Sequence, residues 1–169
     1  MRHHELLDFQ KLCDDFNIIA DKHDKVKLSD IEAQYKLIYE EVKEIKEKGI
    51  DQNNVEEVLD GTIDVLVTAL GMLQKLQNMG IDTESALVST ANNNLSKYIP
   101  DDDNAESILN QSIDKYDQAG EHVTIHYNNC YKVYVLKNKN GKVCKPAGFI
   151  PNTLAAYIPQ HLIIEGFEE

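Results

Sequence analysis

The sequence predicts a mainly α-helical protein: a helical bundle, then a small β-hairpin and an extended C-terminal tail. Apolar residues recur at helical spacing through most of the first hundred residues. Alternating β-branched and aromatic residues occur only after Gly120, and three of the four prolines lie beyond Lys145. We therefore expect one domain, with a helical core over 1–100 and a short helix, hairpin and C-terminal wrap over 101–169.

The first two helices are predicted from apolar spacing and end signals. The first covers 5–22, and a connection follows over 23–27. The second begins near Ser29, because Ser29 and Glu32 match a capping box, and it ends at Gly49. Its apolar stripe consists of Ile31, Tyr35, Ile38, Val42 and Ile45.

The third predicted helix runs over 54–78, and its middle, VLVTALGML, is apolar on nearly all sides. Such a helix is buried by neighbouring helices or by another subunit, so we expect a homodimer or a dimer of dimers. A fourth helix is predicted over 83–98, where Pro100 stops it.

The C-terminal part is predicted to change its structure along the chain. A short helix is expected over 105–119, after a polar break that can cap it. Two alternating runs flank Asn128 and Asn129, which is typical of a β-hairpin. The tail from Lys145 onward is expected to wrap the helices in an extended form.

Composition excludes some classes of function. The net charge of −12 argues against nonspecific nucleic-acid binding, which needs a cationic surface. No segment is long and apolar enough for a membrane span, so no membrane partner is expected. The three cysteines are odd in number and lack metal-site or redox spacing, which favours a reduced, cytoplasmic setting.

Two carboxylate clusters are the candidate metal ligands. Glu40, Glu41 and Glu44 lie on the second helix, and Asp60 and Asp64 lie on the third, each set at helical spacing. Like charges this close repel unless a cation joins them, and oxygen-only ligands favour Mg²⁺, with Mn²⁺ as a substitute.

Each cluster also has an explanation that needs no metal. The first can be a solvated helix face, and acids in the first turn of the third helix can compensate the helix dipole. Asp64 lies too far into its helix for that dipole effect.

The candidate phosphate contacts are Asn94 and Lys97, one helical turn apart, with Lys145 in the tail. An amide and an ammonium can hold a phosphate oxygen and a sugar or base edge. The alternatives are a helix C-terminal cap with a favourable Lys, and an ordinary basic turn around Lys145.

Five segments together resemble a known family: LDFQKLCDDFNI, YEEVKE, VLDGTIDVLVTALG, NNLSK and NGKVCKPAGFIPNTL. They are similar to segments of the all-α nucleotide pyrophosphohydrolases, the MazG-like superfamily. The closest resemblance is to a phage-type branch labelled phosphoribosyl-ATP pyrophosphohydrolase-like. The resemblance covers nearly the whole chain and implies an all-α NTP pyrophosphatase-like bundle.

The resemblance also implies roles for residues. Glu41 and Glu44 match metal ligands, with Glu40 the neighbouring acid, and Asp64 matches the last Asp of the second motif. The broad superfamily has Glu three residues before that Asp, where this chain has Gly61. Asp60, one turn before Asp64, can take its place as a ligand.

On the substrate side, the resemblance matches Asn94 and Lys97 to a substrate-binding pair and adds Lys145. Gln34 stands where relatives often have Arg, and it receives no role.

The resemblance implies Mg²⁺-dependent hydrolysis of a nucleoside triphosphate, (d)NTP, between its α and β phosphates, giving (d)NMP and pyrophosphate and controlling a nucleotide pool. Glu40 or Glu41 would orient and deprotonate the attacking water, with Glu41, Glu44, Asp60 and Asp64 around the metal. Two alternatives stay open: phosphoribosyl-ATP hydrolysis, and a non-catalytic acidic helical dimer that binds nucleotide or protein.

Overall fold

A computed structural model of the protein describes Phe9, residues 11–13, 15, 16, 18 and 19, and residues 25–166. The chain is mainly helical, with 60% helix and 10% strand. This composition confirms the predicted helical class and its small β addition, while the specific pyrophosphatase-type bundle stays a prediction.

The described residues from Phe9 to Ile19 are helical, and the rest of the predicted 5–22 helix lies outside the described residues. The α-helices that follow are α1 Leu28–Glu44, α2 Val55–Asn78, α3 Thr83–Leu95, α4 Ala105–Gln118 and α5 Gln160–Glu165. The strands are β1 Ile99–Pro100, β2 Val123–Asn128 and β3 Val133–Asn138. A π-helical turn, Ile45–Ile50, follows α1, and a 3-10 turn, Ala155–Tyr157, precedes α5. In this described part, no helix has both the length and the hydropathy to cross a membrane.

These elements form two compact units. The first unit combines the chain up to Thr83 with the segment from Leu154 onward, and the second unit is Glu84–Thr153. The predicted partition into 1–100 and 101–169 stays a prediction.

The start of α1 differs from the predicted capping box. The helix begins at Leu28, with Lys27 as its N-cap residue, and the Lys27 backbone N–H donates to the Asp30 carboxylate at 2.8 Å. Asp30 also places negative charge in the first turn, where the helix dipole favours it. The prediction of Ser29 and Glu32 as the capping box was wrong, because the N-cap residue is Lys27 and Asp30, three residues later, accepts from its backbone N–H.

Two glycines allow α1 and the π turn to pack closely against α2. A Cβ on Gly49 would lie 2.6 Å from Cγ2 of Val58, and a Cβ on Gly61 would lie 2.8 Å from Cγ1 of Ile45. Both glycines are buried. Gly49 was predicted to end the helix, but the helical backbone continues as a π turn to Ile50. The lack of a side chain at Gly49 therefore allows close packing against Val58 and does not end the helical backbone at this residue.

This close packing also corrects the predicted apolar stripe of α1. Gln34 is buried and Glu41 is half-buried, whereas Tyr35 and Val42 are 60% and 49% exposed. The side of α1 that is turned toward α2 therefore includes two polar residues. It follows steps of four and three residues through Gln34, Ile38, Glu41, Ile45 and Gly49.

The second unit contains an antiparallel sheet in the order β1-β3-β2. Strands β2 and β3 pair from Val123 with Asn138 to Asn128 with Val133, which confirms the predicted hairpin. Its turn was predicted at Asn128 and Asn129, but Asn128 is the last residue of β2 and the loop is 129–132. Strand β1 was not predicted, because the helix expected to reach residue 98 ends at Leu95 and the chain then pairs with β3. The core of this unit consists of Ile99, Ala105, Val123, Leu136 and Cys144.

The tail is bound to α4 through two side chains. The Ser112 hydroxyl is fully buried; it donates to the Ile108 carbonyl at 2.6 Å and accepts from the Ala147 N–H at 2.8 Å. The Tyr116 hydroxyl donates to the Lys145 carbonyl at 3.0 Å and accepts from the Lys145 N–H at 3.1 Å. The irregular segment after Cys144 is therefore held through its backbone. The prediction of an extended tail was wrong further along the chain, where the 3-10 turn Ala155–Tyr157 and helix α5 Gln160–Glu165 satisfy backbone groups locally.

We expect Gly49→Ala to destabilise the protein, because the new methyl group would overlap Val58 and press on its backbone. Overpacking of this kind lowers the free energy of unfolding by about 1–3 kcal/mol. Chemical denaturation measures the change. Glu32→Ala, at an exposed position of α1, is the control and should stay within about 0.5 kcal/mol of the parent protein. Equal stability of the two variants would contradict the close approach.

We expect Ser112→Ala to loosen the tail, because the N–H of the half-buried Ala147 loses its acceptor. An unsatisfied buried donor costs about 1–3 kcal/mol. Amide hydrogen exchange at Ala147 and the free energy of unfolding measure this effect. Ser107→Ala on the same helix is the matched control, since Ser107 accepts from Gln111 at an exposed site. Unchanged exchange at Ala147 in the Ser112 variant would show that the tail does not depend on this hydroxyl.

Candidate functional site

The carboxylate cluster comprises Glu40, Glu41, Glu44 and Asp64, on the facing helices α1 and α2. Glu41 and Asp64 are half-buried, while Glu40 and Glu44 are exposed. Burial raises the pKa of Glu41 above its ordinary value, and the charges of Asp64, Glu44 and Glu40 raise it further. The structure thus brings four of the five predicted acids into electrostatic contact.

The fifth predicted acid, Asp60, is exposed and is not among the charges that raise the Glu41 pKa. Its neighbour Glu57 is half-buried, and its charge acts on Lys48. Glu57, Gly61 and Asp64 follow one another at steps of four and three, on the side of α2 that meets α1. This spacing through Gly61 is the sequence signal for Glu57, whereas Asp60 as a ligand stays a prediction.

Lys48 is a residue that sequence reasoning missed. Its Nζ lies 2.7 Å from Oε2 of Glu44, one helical turn away. This hydrogen bond raises the pKa of Lys48, and the charges of Glu44, Glu57 and Glu41 raise it further. Its ammonium therefore partly neutralises the carboxylate cluster. The spacing of Glu44 and Lys48 by four residues was the available signal.

The carboxylate cluster has the chemistry of a hard-cation site, but its side chains do not converge on one point. Among the residues that the structure describes, no three His, Cys, Asp or Glu side chains form a group that could hold a metal ion as they stand. The atoms that Glu41, Glu44 and Asp64 offer to a metal are all carboxylate oxygens, which suit Mg²⁺. To bind a cation, Glu44 would have to exchange the Lys48 ammonium for it.

The predicted phosphate contacts lie in the second unit. Nζ of Lys97 donates to Oδ1 of Asn94 at 2.6 Å, so the predicted pair is in direct contact near the end of α3. The ammonium of Lys145 lies 5.3 Å from the centre of the Phe149 ring, in a cation–π arrangement. Lys145 thus has a positioned side chain as well as the backbone contacts with Tyr116.

Asn93, rather than Asn94, contacts the tail. Its Nδ2 donates to the Ile150 carbonyl at 2.8 Å, and its Oδ1 accepts from the Asn152 N–H at 3.3 Å. The sequence did not distinguish these neighbouring amides, because the helical phase of a polar run such as NNN is ambiguous without a packing partner.

The three cysteines, all in the described part of the chain, form no disulfide.

Comparison with known proteins gave no match to any family model, curated protein or solved structure. The family resemblance therefore rests on the sequence segments alone, and membership of the MazG-like superfamily stays a prediction.

We expect Glu41→Gln to raise stability at neutral pH in the absence of divalent cations. The raised pKa means that the folded state binds this proton more readily than the unfolded state, so stability falls as pH rises through the Glu41 pKa. The gain should be less than about 1 kcal/mol, because the site is partly solvated. The gain in stability should vanish below pH 4.5, the ordinary pKa of a Glu side chain, because residue 41 is then uncharged in both proteins.

Thermal unfolding across this pH range, in EDTA, measures the difference. Glu44→Gln serves as the comparison, because it relieves repulsion but also removes the Lys48 ion pair. A loss of stability in Glu41→Gln at neutral pH would contradict the repulsion inferred from the cluster.

Proposed function

We propose that this chain is a Mg²⁺-dependent nucleoside triphosphate pyrophosphohydrolase that cleaves (d)NTP to (d)NMP and pyrophosphate, and so controls a nucleotide pool. The observation that carries the proposal is the half-buried Glu41 opposite Asp64, with Glu44 and Glu40 beside it on the same helix. Such concentrated negative charge is costly in a structural interface and useful in a cation site.

The proposed metal ligands are Glu41, Glu44 and Asp64, with Asp60 completing the set predicted from the sequence. Hard carboxylate oxygens are the ligands Mg²⁺ prefers. Bound there, Mg²⁺ would neutralise charge on the phosphate oxygens of the substrate. If Glu44 held the cation, the ammonium of Lys48, which now pairs with Glu44, would be available to a phosphate oxygen.

Glu41 is the proposed general base, with Glu40 as the neighbouring alternative. Glu41 is half-buried beside Asp64, so its carboxylate lies where it could hold a water next to the proposed cation. In this role Glu41 orients a water against the α-phosphorus and takes one of its protons.

Asn94 and Lys97 are the proposed contacts to the substrate, because their side chains already lie together and can bind one anionic group. Lys145 is a further contact, in the tail. A homodimer or dimer of dimers is part of the proposal. It is supported by exposed apolar residues on α1 and α2: Tyr35, Tyr39, Val42, Leu59, Ile63 and Leu66.

One observation favours a second candidate, a non-catalytic acidic dimer that binds nucleotide or protein. The ion pair between Lys48 and Glu44 partly balances the carboxylate cluster without any metal. A cluster balanced in this way can be a solvated, structural surface.

The test is pyrophosphate release in the presence of Mg²⁺ from a panel of all NTPs, dNTPs and phosphoribosyl-ATP. We expect one or a few nucleotides to be cleaved. Asp64→Asn should lower kcat/KM by on the order of 100-fold or more, because the proposed cation would lose a ligand and the charge on the reacting phosphates would no longer be neutralised. Glu47→Gln is the control, because the Glu47 side chain pairs with Lys43 on an exposed surface.

A folded protein that releases no pyrophosphate, and whose melting temperature does not respond to Mg²⁺, would refute the proposed hydrolase and favour the non-catalytic dimer. Cleavage confined to phosphoribosyl-ATP would keep the site assignment and change the substrate.

A further inference from the structure

The first unit contains a cleft of about 580 Å³ beside the contact of α1 with α2. Its apolar walls come partly from Phe16, Val26, Leu37 and Val67. Polar side chains make up nearly half of the lining: Asp30, Gln34, Thr68, Gln74, Lys75 and Asn78. A cavity of this size that combines apolar walls with polar groups is typical of a small-molecule site.

Gln34 supplies the second, independent observation. Its side chain is only 7% exposed, and its Nε2 donates to the Thr68 carbonyl at 2.9 Å, which orients the amide. No hydrogen bond to Oε1 of Gln34 is found within the described part of the chain. A buried acceptor left without a donor costs free energy, so this oxygen is suited to an N–H group from a bound ligand.

We propose that this cleft binds the base of the nucleotide, with Oε1 of Gln34 accepting from a base N–H and Phe16 contacting the ring. The inference rests on the proposed function and adds the part of the substrate that the carboxylate cluster does not address. A flat heteroaromatic ring can pack on the apolar part of these walls while its N–H edge donates to Oε1 of Gln34.

The position along α1 fits this assignment. Gln34 precedes Glu41 by seven residues, which is about 10 Å along a helix axis. This separation is of the order of the length of a nucleoside monophosphate. A base at Gln34 would therefore leave its phosphates near the carboxylate cluster.

The test is the binding of free nucleosides in the presence of EDTA, measured by saturation-transfer NMR and calorimetry. The probes are adenosine, guanosine, cytidine, uridine and thymidine, with ribose 5-phosphate as the ligand that lacks a base. We expect saturable binding of at least one nucleoside and none of ribose 5-phosphate.

Variants locate the binding. Ala33→Phe places a large ring at a position that lines the cleft, and we expect it to weaken nucleoside binding at least ten-fold. Lys36→Phe adds the same ring at an exposed position of the same helix, and binding should be unchanged. Gln34→Leu should weaken binding as well, and circular dichroism checks that it still folds.

Absence of nucleoside binding at millimolar concentration, or binding that Ala33→Phe leaves intact, would overturn the inference. Pyrophosphate release without nucleoside binding would refute the base site and leave the proposed hydrolase standing. Nucleoside binding that Ala33→Phe abolishes would support the base site even if no pyrophosphate were released.

Discussion

The contact of α1 and the π turn with α2, at Gly49 and Gly61, is the constraint on which the first unit depends. Neither position has room for a Cβ, so the two backbones approach more closely than side-chain packing would allow. This approach turns Gln34 and Glu41 toward α2 and leaves Tyr35 and Val42 exposed. The helix pair thereby acquires a partly polar interface, which an apolar stripe would not have produced.

That interface concentrates negative charge without fully balancing it. Glu41 lies near Asp64, Glu44 and Glu40, and Lys48 is the cation that offsets them. The pair of Lys48 with Glu44 is solvent-exposed, so it contributes little stability and can be exchanged for another cation. Carboxylates with a purely structural role are usually paired with a cation or fully solvated. Glu41 is half-buried, and Lys48 only partly offsets the charge around it. This imbalance is the physical basis of the proposed site.

The second unit is organised by a different kind of interaction. Its irregular tail segment has no sheet or helix to satisfy its backbone, so side chains do so instead. Ser112 and Tyr116 bind it from α4, and Asn93 binds it from α3. Loops that are held through their backbone in this way keep a defined position while their side chains stay available. Lys145, whose backbone is bound by Tyr116, is an example.

The sequence by itself determined the helical class, the extent of α2, the hairpin and the grouping of Glu40, Glu41 and Glu44 on one helix, because these follow from local spacing. Helical and strand periods, caps and turns are properties of a few consecutive residues. Only the tertiary structure decided that Gly49 and Gly61 are packing positions, that Glu57 rather than Asp60 faces Lys48, and that Gln34 is buried. These features depend on which side of one helix meets another, and distant residues determine that choice.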